Sequence, residues 1–127
     1  IFGIFLFINI FKVSGTKELI SGLSLSPLIL TVGAGFLLGL ITGRINLPAS
    51  LIIPIYITTF GVAAFNPVVF IVIFLSVFMG YVLAPVHPCV SISLEFFDAD
   101  MSDFIKLMIP PVAISLGIAV LVYFLLA

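Results

Sequence analysis

Read from its first residue, the chain alternates long apolar runs with short polar ones. Residues 1–11 are apolar but fall short of the ~20 residues a spanning helix needs. They also lack the basic flank and small-residue cleavage site of a signal peptide. With Ile1 rather than methionine in front, the run is expected to be the end of a truncated transmembrane helix, and the chain a C-terminal fragment. Residues 12–26 carry Lys12, Lys17 and Glu18 among serines and glycines, which predicts an interfacial loop. Leu19, Ile20, Leu23 and Leu25 would let part of it lie as a short helix on the interface; an ordinary loop fits equally well.

Residues 27–43 are helical in character, and Pro27 suits a first turn. These 17 residues would rise about 25 Å, slightly less than a bilayer core. Gly35, Gly39 and Gly43 recur every fourth residue, placing three bare patches on one face where another helix backbone can come close. A polar break at residues 44–50 follows, then apolar sequence again over 51–65. Pro48 suits a helix start there, and Pro54 inside the run predicts a kink or local unwinding. Two readings stand side by side. Either these are two complete spans joined by a loop carrying Arg44, or they form a re-entrant hairpin whose tip, residues 42–46, lies inside the membrane.

The pair Asn66-Pro67 marks a turn before an uncharged stretch rich in Val, Ile and Phe. From 67 to 97 the run is 31 residues long, half again what a span requires. Pro85 and Pro88 break it where its interior should be. Broken helices at membrane depth are tolerated only where the freed carbonyls face protein or water. Beyond the break, His87, Ser91, Glu95, Asp98 and Ser102 follow steps of four, four, three and four, one stripe of a helix. That stripe would line an aqueous path or form the wet side of a surface helix. Residues 98–106 are a polar connection. Residues 107–127, uncharged, are long enough to span, with Pro110 and Pro111 expected to kink the first turns.

Composition decides which solvent this pattern was built for. Hydrophobic residues make up 64% of the 127 and charged ones 7%. A soluble domain would hold roughly 25% charged residues, so a water-facing surface cannot be assembled from this chain. An all-α integral membrane protein is expected. The net charge of −1 argues against a nucleic-acid partner. A single cysteine, Cys89, excludes a disulfide framework and every multi-cysteine metal site.

Few residues remain that carry chemistry. Arg44 costs about 2.5–3.5 kcal/mol at the centre of a membrane helix, so there it must face protein, water or an anion; at the interface it is an ordinary snorkelling residue. His87, between the two half-helices, is placed to titrate near neutral pH, to coordinate an ion or to hydrogen-bond structurally. Cys89 lies two residues from it, an arrangement far more often a buried, inert thiol than a nucleophile. Glu95 belongs either to a proton or cation relay or to the solvated edge, and Asp98, Asp100 and Asp103 read as a solvated face. Metal-ligand spacing, a phosphate loop, a dinucleotide fingerprint and a nucleophile elbow are all absent from the sequence, so an enzyme is not expected.

These features come together in a recognisable order. A break at Thr42-Gly43 leads to an apolar helix containing Pro54. After it come a long helix ending in APVHPCVS (residues 84–91), a short polar connection and a last span. The order resembles one repeat of the ion transporter superfamily, which includes dicarboxylate and citrate carriers, NhaD-type antiporters and gluconate permeases. Nearest is the prokaryotic membrane family called domain of unknown function 401, with a similar SPVHLC-type segment in its last broken helix. The resemblance covers residues 27–127 and implies a hairpin (27–65), a broken helix (67–97), the connection (98–106) and a terminal transmembrane helix (107–127). It implies further that hairpin tip and helix break face each other around the substrate. Carried over residue by residue, the tip is Thr42, Gly43, Arg44 and Asn46, and the break is Pro85, His87, Pro88 and Ser91. The Ser-Asn-Thr triplet of several carriers is absent, and Arg44 stands where small polar residues are usual.

The function expected from this resemblance is part of a secondary transporter for a small organic anion, coupled to H+ or Na+. No cofactor is expected beyond that coupling ion. The expected setting is the cytoplasmic membrane of a prokaryote, in a multi-pass protein. Its partners would be the lipid bilayer, the anionic substrate, a missing N-terminal half with the inverted repeat, and in one arrangement a second copy as a homodimer. Helices starting near Pro48 and Pro88 would bring positive dipole ends to an anionic group, and Arg44 a bidentate contact to a carboxylate. The competing reading is a non-transporting membrane scaffold, in which glycine face and proline breaks serve packing alone. An intramembrane enzyme using His87 and Cys89 is a distant third.

Overall fold

The computed structural model describes residues 2–15 and 26–126. Among these there are helices and turns and no strand. The helices are α1 (Phe2–Val13), α2 (Ile29–Thr42), α3 (Asn46–Phe60), α4 (Pro67–Leu83), α5 (Pro88–Phe96) and α6 (Met101–Leu126). The short helix expected around residues 19–25 lies outside the described residues. Two stretches, Pro67–Phe96 and Met101–Leu126, are long and apolar enough to cross a membrane, with mean hydropathies of 2.5 and 2.3. The first of them is interrupted between α4 and α5.

The core forms where α2, α3 and α4 meet. Leu30, Ile52, Tyr56, Val69, Ile73 and Val77 make one buried cluster, with Tyr123 of α6 packed against its edge. Helix α4 is the central element and packs on α2, α3 and α6. It starts where Asn66 caps it, accepting from the Val69 N–H at 2.9 Å, with Pro67 at a first-turn position where its missing N–H does no harm. The outer faces of the bundle stay apolar. Phe70, Ile71 and Phe74 of α4 are exposed, as are Ile114, Ile118, Leu121 and Phe124 of α6.

Helices α2 and α4 run parallel in unusually close contact. A Cβ placed on Gly39 would lie 2.2 Å from the Val77 carbonyl oxygen, and one on Gly80 2.1 Å from that of Phe36. Each glycine therefore meets the carbonyl three residues before the other, a reciprocal arrangement suited to paired Cα–H···O contacts. Higher up, Gly35 faces Ser76 at 3.2 Å on the same terms. Two of the three glycines expected to form a bare face are thus at the contact with α4. Gly80, its counterpart on α4, is not part of any pattern singled out from the sequence.

Several local expectations differ from what the chain does. No unwinding occurs at Pro54; α3 stays helical from Asn46 to Phe60. Ile52, Pro54 and Tyr56 are all buried, and that packing offsets the roughly 3 kcal/mol an internal proline costs. The helix also begins two residues before Pro48. In α2 the first six residues, Ile29–Ala34, form a wider π-helical stretch, where buried Thr31 donates to the carbonyls of Pro27 and Leu28 at 2.9 and 3.2 Å. Most of the supposed polar connection is helical. α6 starts at Met101, with Asp103 in its first turn and an exposed Asp103–Lys106 ion pair at 3.1 Å, so Pro110 and Pro111 fall in its interior and not in its opening turns. The polar stripe ends at Glu95, because α5 stops at Phe96 and Asp98 takes a left-handed φ of 50°. That residue turns the chain, and Ser102 belongs to the next helix.

The glycine contact can be tested by adding one methyl group. Gly39→Ala and Gly80→Ala should each destabilise the full-length protein in detergent by about 1–3 kcal/mol, the usual range for overpacking. Gly117→Ala, whose Cβ would meet nothing within 4 Å, should melt at or above the parent temperature by circular dichroism. Equal melting for all three would contradict the backbone contact.

Candidate functional site

Because α2 and α4 run parallel, both break at the same end of the bundle. Gly43 ends α2 in a left-handed conformation, φ +57°, its N–H donating to the Gly39 carbonyl at 3.0 Å. The Thr42 hydroxyl secures the turn, donating to the Leu38 carbonyl at 2.7 Å and lying 3.2 Å from the Arg44 carbonyl. The chain reverses over Gly43, Arg44 and Ile45 and enters α3, whose first turn has no side-chain cap. Opposite, α4 ends at Leu83 and Ala84 is extended. His87 then opens α5 as its cap, Nδ1 accepting the Cys89 N–H at 3.2 Å. The two breaks touch. A Cβ on Gly43 would come 2.8 Å from Cγ2 of Val86.

Between them lies a cavity of about 630 Å³, within the ~300–1,000 Å³ typical of small-ligand sites. The hairpin side is lined by Thr42, Gly43, Arg44, Ile45, Asn46 and Leu47, the break side by Tyr81, Val86, His87 and Pro88. Arg44 contributes the one formal charge on this wall. Its side chain is exposed, and it makes no ion pair among the described residues. The chemistry on offer is anion binding. A guanidinium, the uncapped start of α3 and neutral hydroxyl and amide groups line the wall, and no carboxylate does.

Of the residues singled out from the sequence, Thr42, Gly43, Arg44, Asn46, His87 and Pro88 are brought together on this wall. Pro85 and Ser91 are not. Pro85 is exposed, and the Ser91 hydroxyl lies 3.3 and 3.4 Å from the Pro85 and His87 carbonyls. Cys89, expected to be buried, is exposed and lines a separate cleft with Ser93, Leu94 and Phe104, because its helix has no buried face. The residue that sequence reasoning missed is Tyr81. Its hydroxyl is paired with Nε2 of His87, so both ring nitrogens of that histidine are engaged. A lone phenol in the last turn before a proline break was the available signal. Ile45, Leu47 and Val86 add apolar wall that no pattern had marked.

The sequence model of the family described as Protein of unknown function (DUF401) matches residues 1–126. The chain belongs to this family. No curated protein and no solved structure matches it. Within the family's matched region lie both the hairpin turn and the PVHPC segment, the two halves of the cavity wall.

Contact between the halves gives a stability prediction. Gly43→Ala should cost about 1 kcal/mol through its positive φ, plus a steric part from Val86. In a Val86→Ala background the loss should shrink without vanishing, as read by melting of the single and double variants. A loss unchanged by Val86→Ala would mean that tip and break are not in contact.

Proposed function

We propose that this chain is part of a secondary transporter of the ion transporter superfamily type, carrying a small organic carboxylate together with H+ or Na+. In this reading residues 27–127 form one repeat embedded in the cytoplasmic membrane of a prokaryote, with an inverted partner repeat elsewhere in the protein. Residues 27–65 are a re-entrant hairpin and its tip meets the helix break near the bilayer interior. The observation that carries the reading is the cavity where Arg44 faces the broken Pro67–Phe96 helix with no acidic side chain on the wall. The exposed guanidinium at the mouth of this cavity is open to an incoming anion, and a substrate carboxylate is one of the right charge and planarity. The lengths of α2 and α3 support the hairpin. At 14 and 15 residues they rise about 20 Å each, well under the ~30 Å of a hydrocarbon core. Asn46 supplies an amide contact to the same ligand, while the Thr42 hydroxyl, donating to the Leu38 carbonyl, holds the turn.

Transport is tested by uptake of acetate, lactate, succinate and citrate into proteoliposomes holding the full-length protein, under proton and sodium gradients in turn. At least one should accumulate, and Arg44→Gln should raise its KM about tenfold or more. No accumulation of any of the four by the parent would count against the reading and favour a non-transporting membrane subunit, which needs the glycine contact but not Arg44.

Membrane placement has its own test. Single cysteines at Thr42, Arg44 and Asn46, in a Cys89→Ser background, should react slowly with bulky impermeant thiol reagents from either side. A cysteine at Ala99, in the exposed turn before α6, should react fast. Equal rates at all four positions would make residues 42–46 an ordinary surface loop.

A further inference from the structure

His87 and Tyr81 are joined across the break in a way that fixes which of their atoms is free to bind a ligand. The imidazole Nδ1 accepts the Cys89 N–H, so it holds a lone pair, and the single proton of the neutral ring sits on Nε2. That nitrogen is paired with the Tyr81 hydroxyl, which therefore acts as acceptor. The phenol's own proton has no acceptor among the described residues, and Tyr81 lies on the cavity wall. The two rings stand nearly perpendicular, 79° apart with centroids at 4.4 Å, and His87 is 9% exposed. Turning the imidazole would break both of its hydrogen bonds at once.

We propose that Tyr81 is a ligand donor of this site, its hydroxyl donating to an oxygen of the carboxylate whose charge Arg44 balances. His87 is a positioning residue that holds the phenol in that orientation without touching the substrate. The proposal rests on the transporter reading and deepens it. The anion is recognised by one charged planar donor from the hairpin and one neutral directional donor from the broken helix, so both halves must be in place for full affinity. A donor left unpaired by the bound ligand penalises one that lacks the matching oxygen, so Tyr81 sets specificity while Arg44 supplies the charge. Histidine suits the supporting position because one ring serves two masters: its Nδ1 caps α5 and its Nε2–H orients the phenol.

The test uses uptake of the same four carboxylates by the full-length protein with Tyr81→Phe, His87→Asn and the double variant. Phenylalanine keeps the ring packing. Asparagine keeps a side-chain oxygen able to cap α5 but is too short to reach Tyr81. Each single change should raise KM about tenfold, the scale of one hydrogen bond to a charged group, with little change in kcat. The double variant should be no worse than Tyr81→Phe alone, because His87 acts only through the phenol. Additive losses, or a parental KM for His87→Asn beside a raised one for Tyr81→Phe, would overturn the positioning role. A parental KM for Tyr81→Phe beside an impaired Arg44→Gln would remove Tyr81 from the site and leave the transporter reading standing. If Arg44→Gln also transports like the parent, or the parent carries none of the four, the site reading falls and the pair with it.

Discussion

The contact of α2 with α4 at Gly39 and Gly80 controls where everything else can lie. Two helix backbones that meet through glycine hydrogens have almost no freedom to slide, since any side chain brought to the crossing would collide with a carbonyl. That locks the register of the pair, and the register places Gly43 beside Val86. Between backbones this close the attraction is dispersion between facing surfaces and weak Cα–H···O contacts. Small residues are valuable there because they let many atoms approach together. The cavity is a consequence of this packing. It exists because two parallel helices, held in register, both stop at the same level.

How much of this could be read in the chain depends on which kind of signal each residue sends. The Gly35–Gly39–Gly43 spacing is a one-dimensional pattern, and it pointed to a close helix contact that Gly35 and Gly39 make. The breaks were legible for the same reason, since Gly43, Pro85 and Pro88 act on their own backbone. Gly80 stands alone in its helix, and a lone glycine has no period to announce it. Tyr81 sent only a faint signal, a phenol before a proline break, because its meaning depends on His87, six residues away around a bend. Pro54 failed as a helix breaker, since propensity was outweighed by the burial of Ile52 and Tyr56. Asp98 looked like the next step of a polar stripe, but one left-handed residue ends a periodicity that counting along the sequence carries straight through.

The hairpin turn and the helix break bring four helix ends to one place. The C-terminal ends of α2 and α4 leave carbonyls there, and the N-terminal ends of α3 and α5 leave N–H groups. The wall thus holds partial charges of both signs within a few residues of each other, with a full positive charge from Arg44 added on one side. Such a surface is asymmetric without a single acidic side chain. Its polarity comes from backbone that the fold leaves unpaired, which substitution of side chains alters only indirectly.

Helix α5 has no buried residue, so packing does little to fix the direction in which it points. Its bearing is set at its base, by the His87 cap and by the Ser91 hydroxyl beside the Pro85 and His87 carbonyls. Mechanically it is a short arm on a pivot. Nine residues rise about 13 Å, so a tilt of about 20° at the base sweeps the far end through roughly 5 Å, carrying with it the turn at Asp98 and the start of α6. A tilt of that size at the cavity end would displace the opposite end of the arm by the length of a whole side chain.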